Sequence, residues 1–160
     1  MATVALESPP LLDLWVPGKA VPGGSKRAFA HAITGKVIVM DDAKGNKDWR
    51  ARVSQFAAVA FRGCGLIVDP IEVWAEFHIL RPRSHFRVGR FVHVLRDNAP
   101  RWPAKKPDAT KLWRAAEDAL TGVVWIDDAL IVSQHISKVW GDKPGVHVVV
   151  RRIEWDARER

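Results

Sequence analysis

The chain has 160 residues, 48% of them hydrophobic, and a formal net charge of +7 at pH 7, with a sequence pI near 10.0. That length predicts one domain, residues 1–160, with enough apolar side chains for a core without metal or disulfide support. One cysteine, Cys64, excludes an internal bridge and a cysteine-built zinc site, and points to a reducing compartment. No apolar run nears membrane-spanning length and Met1–Pro10 has no basic n-region, so no membrane attachment and a cytoplasmic location are expected. The positive balance favours a polyanionic partner, nucleic acid before an acidic membrane surface.

Residues 1–10 are expected to be loose. Leu11–Val16 predicts a first strand, stopped by Pro17–Gly18 and then Pro22–Gly23–Gly24. Ser25–Ile33 and Lys36–Met40 read as a hairpin turned at Thr34–Gly35, and Asp41–Asn46 as a polar turn. Lys47–Phe61 predicts a helix whose buried face is Trp49, Val53, Phe56, Ala57 and Ala60, ended by Gly63–Cys64–Gly65, with Cys64 a small spacer. In Ile71–Leu80 apolar and polar residues alternate, which predicts a strand with one fully apolar face at the sheet centre. The eight tryptophans are spread along the chain and read as packing residues.

The character then changes. Arg81–Arg90 carries four arginines and His85 on a segment broken by Pro82 and Gly89, and Phe91–Lys106 continues without periodicity. A stretch of that length is functional or unstructured. Arg81, Arg83, His85, Arg87, Arg90, Lys105 and Lys106, with Lys138 further on, are the candidate DNA contacts, because guanidinium forks bind phosphate oxygens in pairs. A solvated surface loop is the alternative.

Thr110–Leu120 predicts a second helix, capped by Asp108 or Thr110 and stopped near Gly122. Asp108, Leu112, Ala115 and Ala119 share a face at helical spacing, Lys111 and Asp118 flank it, and Arg114 can pair with Asp118 four places on. Val123–Ile126 leads into Asp127–Asp128. Ala129–Val139 and Val146–Ile153 predict two strands joined by a turn at Gly141–Gly145, before a charged, exposed tail, Glu154–Arg160. The sum is an α/β (α+β) fold: a small mixed sheet flanked by two main helices.

Four acidic residues thus fall in one short window of a basic protein: Asp108, Asp118, Asp127 and Asp128. Phosphodiester hydrolysis needs charge neutralised on the phosphoryl oxygens and a water made nucleophilic, which carboxylate-held Mg²⁺ supplies. Asp108, Asp127 and Asp128 are the candidate metal ligands, with Asp118 in support. Lys111, Arg114 or Lys138 could stabilise developing negative charge. Taken singly, Asp108 reads equally as a helix cap, Asp127–Asp128 as a turn and Asp118 as a partner for Arg114.

The order of these residues resembles the RusA-type Holliday junction resolvases, small endonucleases of phages and prophages. Their pattern is an Asp-x-Asp segment opening a helix, a basic residue, Asp-Ala-Leu and an Asp-Asp pair. Here it reads Asp108–Ala109–Thr110–Lys111–Leu112, Arg114, Asp118–Ala119–Leu120 and Asp127–Asp128, preceded by Arg81–Pro82–Arg83–Ser84–His85 and by the early Pro17–Gly18 to Pro22–Gly23 loop. The resemblance implies a homodimer that cuts four-way DNA junctions in recombination and repair, with Mg²⁺ or Mn²⁺ as cofactor. Asp108, Asp128 and position 110 would carry the metal, and position 114 the essential basic residue. Position 110 is Thr and position 114 is Arg, so this chain departs from the pattern at both. Asp118, Asp127 or Glu76 would have to replace the missing carboxylate. A branched-DNA-binding protein that has lost cleavage, and a basic RNA-binding or structural module, are the alternatives.

Overall fold

The computed structural model describes residues 9–23, 26–30, 33–41 and 45–153, with backbone only for 26–30 and 37–41. Six strands and two helices follow in the order β1 (Leu12–Pro17), β2 (Lys26–Ala30), β3 (Val37–Asp41), α1 (Asn46–Ala60), β4 (Ile71–Leu80), α2 (Ala109–Leu120), β5 (Ile131–Gly141) and β6 (Gly145–Arg152). β2 and β3 form their own antiparallel pair, and the other four make a sheet ordered β1-β6-β4-β5. β1 and β4 run antiparallel to β6, while β4 and β5 are parallel. The fold is therefore α+β with a mixed sheet, as the patterning predicts. Residues 1–8 and 154–160, which include most of the expected loose N-terminus and the charged tail, lie outside the described residues.

β4 is the sheet centre because its alternation suits a strand with two neighbours and one covered face. Ile71, Val73, Ala75 and Phe77 are buried, as are Val146, Val148 and Val150 of β6 and Leu12, Leu14 and Val16 of β1. Both helices lie on this face. α1 contributes Trp49, Val53 and Ala57, and α2 contributes Leu112, Ala115, Ala116 and Ala119. The other face carries Glu72, Trp74, Glu76 and His78 of β4 and stays open, with Trp15 and Trp74 38% and 48% exposed.

Several expectations change. Phe56 and Ala60 of α1 are exposed, not buried. The helix buries a single narrow stripe, Asn46, Trp49, Val53 and Ala57, and Phe56 sits about 100° around the axis from Ala57. The turn between the last two strands falls where expected, but they do not pair with each other: β4 lies between β5 and β6, so residues 142–144 carry the chain over the end of β4. Gly145 lets β6 lie close against β1, because a Cβ there would collide with the Trp15 ring and come 2.7 Å from the Val16 carbonyl oxygen.

The early glycine loop packs on α2. Gly23 N donates to the Lys111 carbonyl at 2.8 Å, and a Cβ on Gly23 would meet Ala115 N at 3.2 Å. Asn46 Nδ2 donates to the Pro22 carbonyl at 3.0 Å and ties the same loop to the start of α1. Among the described residues no helix is long and apolar enough to cross a membrane.

Phe77 and Phe56 test this packing as a pair. Phe77→Ala leaves a hole between sheet and helices and is expected to lower the unfolding free energy by about 3–5 kcal/mol in urea titrations. Phe56→Ala, on the exposed flank of α1, is expected to cost under about 1 kcal/mol. Equal losses would mean that the buried stripe of α1 is wrongly placed.

Candidate active site

α2 forms because Leu112, Ala115, Ala116 and Ala119 give it a small, close-packing buried face, while Lys111, Arg114 and Asp118 stay exposed on the other side. Asp108 occupies the N-cap position, but its side chain makes no capping hydrogen bond. Its Oδ2 lies 3.6 Å from Lys111 Nζ instead. The capping role expected for Asp108 is thus absent, and its carboxylate remains half exposed at the head of the helix.

The other acidic residues gather at the tail. Asp118, Asp127 and Asp128 line one open cleft with Arg50, Thr121 and Ile126, about 380 Å³ in volume. Asp118 Oδ2 lies 3.9 Å from Arg50 Nη2, so its partner comes from α1 and not from Arg114, which makes no ion pair among the described residues. Asp127 is committed locally, since its Oδ1 accepts from Ala129 N at 2.8 Å and starts a short 3-10 turn, Asp128–Leu130. Asp128 stays exposed, with its carboxylate uncommitted by any hydrogen bond or ion pair among the described residues.

Glu117 belongs to this group and is not apparent from the sequence. Burial pushes its carboxyl pKa up, and the Asp128 and Asp118 carboxylates push it further; a hydrogen bond from Trp113 and the charge of Arg114 oppose the rise. Trp113 Nε1 donates to Glu117 Oε1 at 3.1 Å. Thr121 completes the wall: its Oγ1 donates to the Glu117 carbonyl and accepts from Trp125 Nε1, both at 3.0 Å. Arg50 escaped notice because it comes from another helix, and Glu117 because its adjacency to Asp118 carries no signal until α2 is packed.

One chain does not bring the expected metal ligands together. Asp108 and Asp118 are ten residues apart on one helix, about 15 Å along its axis, and Asp127 and Asp128 lie at the Asp118 end. Lys138 fixes the head of α2 by donating to the carbonyls of Lys105 at 2.9 Å and Pro107 at 2.8 Å, so its ammonium acts as an anchor. Glu76 bonds to His78 at 2.9 Å on the open face of the sheet, away from both helices. Among the described residues no three His, Cys, Asp or Glu side chains form a ready ion-binding group.

The basic segment between β4 and α2 is more ordered than its lack of periodicity suggests. It contains 3-10 turns at Arg83–His85 and Gly89–Phe91. Arg87 N donates to the Val94 carbonyl and Arg96 N to the His85 carbonyl, each at 2.9 Å. Its base is locked to β5. Arg81 Nη1 and Trp140 Nε1 both donate to the Pro100 carbonyl, at 2.9 and 3.0 Å, and the Arg81 guanidinium lies 5.0 Å over the Trp140 ring. His85 packs edge-on against that ring. Of the expected DNA contacts, Arg81 and His85 therefore hold the arm together and Arg87 pairs with Asp97 at 2.9 Å. Arg83, Arg90, Lys105 and Lys106 are exposed and make no ion pair among the described residues.

An acidic cleft at the tail of α2 and an ordered cationic arm anchored at the far end of β5, on a strongly basic chain, are features suited to a polyanionic partner. Residues 17–151 match the family model described as endodeoxyribonuclease RusA, so the chain belongs to the RusA endodeoxyribonuclease family. It is also similar to the uncharacterized protein YqaN of Bacillus subtilis (strain 168), 26% identical over 136 residues that cover 85% of this chain and 92% of that one.

Glu117 gives the site a measurable signature. Its folded pKa lies above the ordinary value, so the folded chain holds a proton that the unfolded chain has released. The associated stability is full below the ordinary carboxylate range and falls as pH climbs through the raised value. Glu117→Gln removes that fall. Relative to wild type, the variant is expected to gain stability as pH rises from the ordinary carboxylate range through the raised Glu117 pKa, read from urea midpoints; a flat difference would contradict the assigned environment.

Proposed function

We propose that the protein is a divalent-metal-dependent endonuclease that cuts four-way DNA junctions as a homodimer. The observation that carries this reading is that Asp118, Asp127 and Asp128 line one open cleft at the tail of α2, with Glu117 close enough to feel the charges of Asp118 and Asp128. Family membership supports branched DNA as the substrate class. The donor set suits Mg²⁺ or Mn²⁺: hard carboxylate oxygens, partly exposed, where such an ion needs only one or two and keeps its waters. Asp128 and Asp118 would hold it. When bound, it supplies neutralisation of the phosphoryl oxygens and a water of lowered pKa.

Asp108 enters this centre from the second subunit. At about 15 Å from the acidic tail along α2, it cannot share an ion with Asp128 of its own chain. An antiparallel approach of two α2 helices sets the head of one against the tail of the other. The exposed stripe Asp108, Lys111, Arg114, Asp118 runs acid, base, base, acid, so it faces its own reversed copy with acids meeting acids across the proposed ion and bases at the middle. Arg114 and Lys111 then sit where a scissile phosphate bridges the two chains and counter its developing charge. Arg83, Arg90, Lys105 and Lys106 hold the phosphates of the arms.

The test is cleavage of a labelled four-way junction, with matched duplex as control. Wild type is expected to cut the junction only with Mg²⁺ or Mn²⁺. Asp108→Asn and Asp128→Asn are each expected to lose at least about a hundredfold in rate, the scale of one preorganised electrostatic group, while still binding the junction. Tight junction binding without cutting under any metal would instead favour the branched-DNA-binding alternative, with Thr110 as its cause.

A further inference from the structure

The arm between β4 and α2 shows a second chemistry besides its charge. Between Arg87 and Arg96 it exposes Val88, Phe91, Val92, Val94 and Leu95, with Val88 76% and Phe91 47% exposed. On the return limb Trp102 is 59% exposed, so the expectation that the tryptophans serve packing does not hold there. A cation lies over each aromatic ring: Arg90 at 4.9 Å from the Phe91 centroid and Arg101 at 5.7 Å from that of Trp102. The loop itself is held by main-chain bonds and by Arg96 Nε, which donates to the Phe86 carbonyl at 2.8 Å. These apolar groups are thus displayed on a stiff support.

Such a surface selects its occupant. An exposed apolar patch of this kind marks a contact site. Interleaved arginines require the occupant to be anionic, yet the apolar tip requires a face free of charge. Duplex DNA satisfies the first condition and fails the second, because its base faces are hidden in the stack. Nucleotides at a branch point satisfy both: phosphates on the outside and base faces that can be uncovered.

We propose that the exposed aromatic rings of the arm, Phe91 and Trp102, stack on unpaired bases where DNA strands branch, so that preference for branched over linear DNA resides in the arm and not in the acidic centre. This rests on the endonuclease reading above.

The test measures binding in EDTA, where cutting is suppressed, to a four-way junction and to duplex of the same sequence. The junction carries 2-aminopurine beside the branch. Wild type is expected to prefer the junction and to brighten the 2-aminopurine. Phe91→Ala and Trp102→Ala are each expected to weaken junction binding about tenfold, to leave duplex binding unchanged and to lose the fluorescence rise. Phe91→Trp, which keeps a stacking face, is expected to retain all three. Equal losses on both DNAs, or a preference that survives Phe91→Ala, would overturn the inference while the endonuclease reading stands. A wild-type protein with no preference for the junction would overturn both. A change from dimer to monomer on Phe91→Ala would assign the tip to contact between copies and overturn the inference alone.

Discussion

A helix is stiff, and α2 holds its two ends apart. Lys138 clamps the head through the Lys105 and Pro107 carbonyls, Gly23 packs against its middle, and the Trp125–Thr121–Glu117 chain of hydrogen bonds closes the tail. With both ends pinned to the sheet, Asp108 cannot swing toward Asp128. The proposal of a shared centre starts from that fixed separation: Asp108 at the head and Asp118, Asp127 and Asp128 at the tail would act as half-sites completed by a second chain.

The tail of α2 is the more strongly acidic of its two ends. Asp118 and Asp128 lie close enough to raise the Glu117 pKa together with burial, so the tail of α2 already concentrates negative charge in a chain of net charge +7. Close carboxylates are unfavourable without counter-charge, and Arg50, at 3.9 Å from Asp118, and the charge of Arg114 on Glu117 relieve them only in part. A divalent cation would relieve them further, and a phosphate brought with it would extend into the cationic stripe of Lys111 and Arg114.

Much of the scaffold is legible in the residues alone. The strict alternation of Ile71–Leu80 placed β4 at the centre, and α2 was readable from its spacing of leucine and alanines. The failures have physical causes. Phe56 is hydrophobic and correctly spaced, but α1 meets the sheet along a stripe too narrow to include it. β5 and β6 are joined by a tight turn, yet β4 pairs with both, and no local signal reports an intervening strand. The arm has no periodicity because its order comes from turns and from single bonds to β5, such as Trp140 to Pro100. In the acidic window the residue types were visible. Their grouping was not, because nothing along the chain shows that the turn after α2 returns Asp127 and Asp128 to the tail of the helix, beside Arg50, and not to its head.

Mixing two inactive subunits probes this geometry most directly. Asp108→Asn and Asp128→Asn chains, differently tagged and allowed to exchange, form mixed dimers that can be isolated by sequential tag capture. If each centre takes Asp108 from one chain and Asp128 from the other, a mixed dimer contains one centre with both carboxylates intact, and it is expected to nick one strand of a four-way junction in Mg²⁺ although neither parent cuts. Isolated mixed dimers that remain as inactive as their parents, beside a tagged wild-type dimer that cuts normally, would contradict the shared centre.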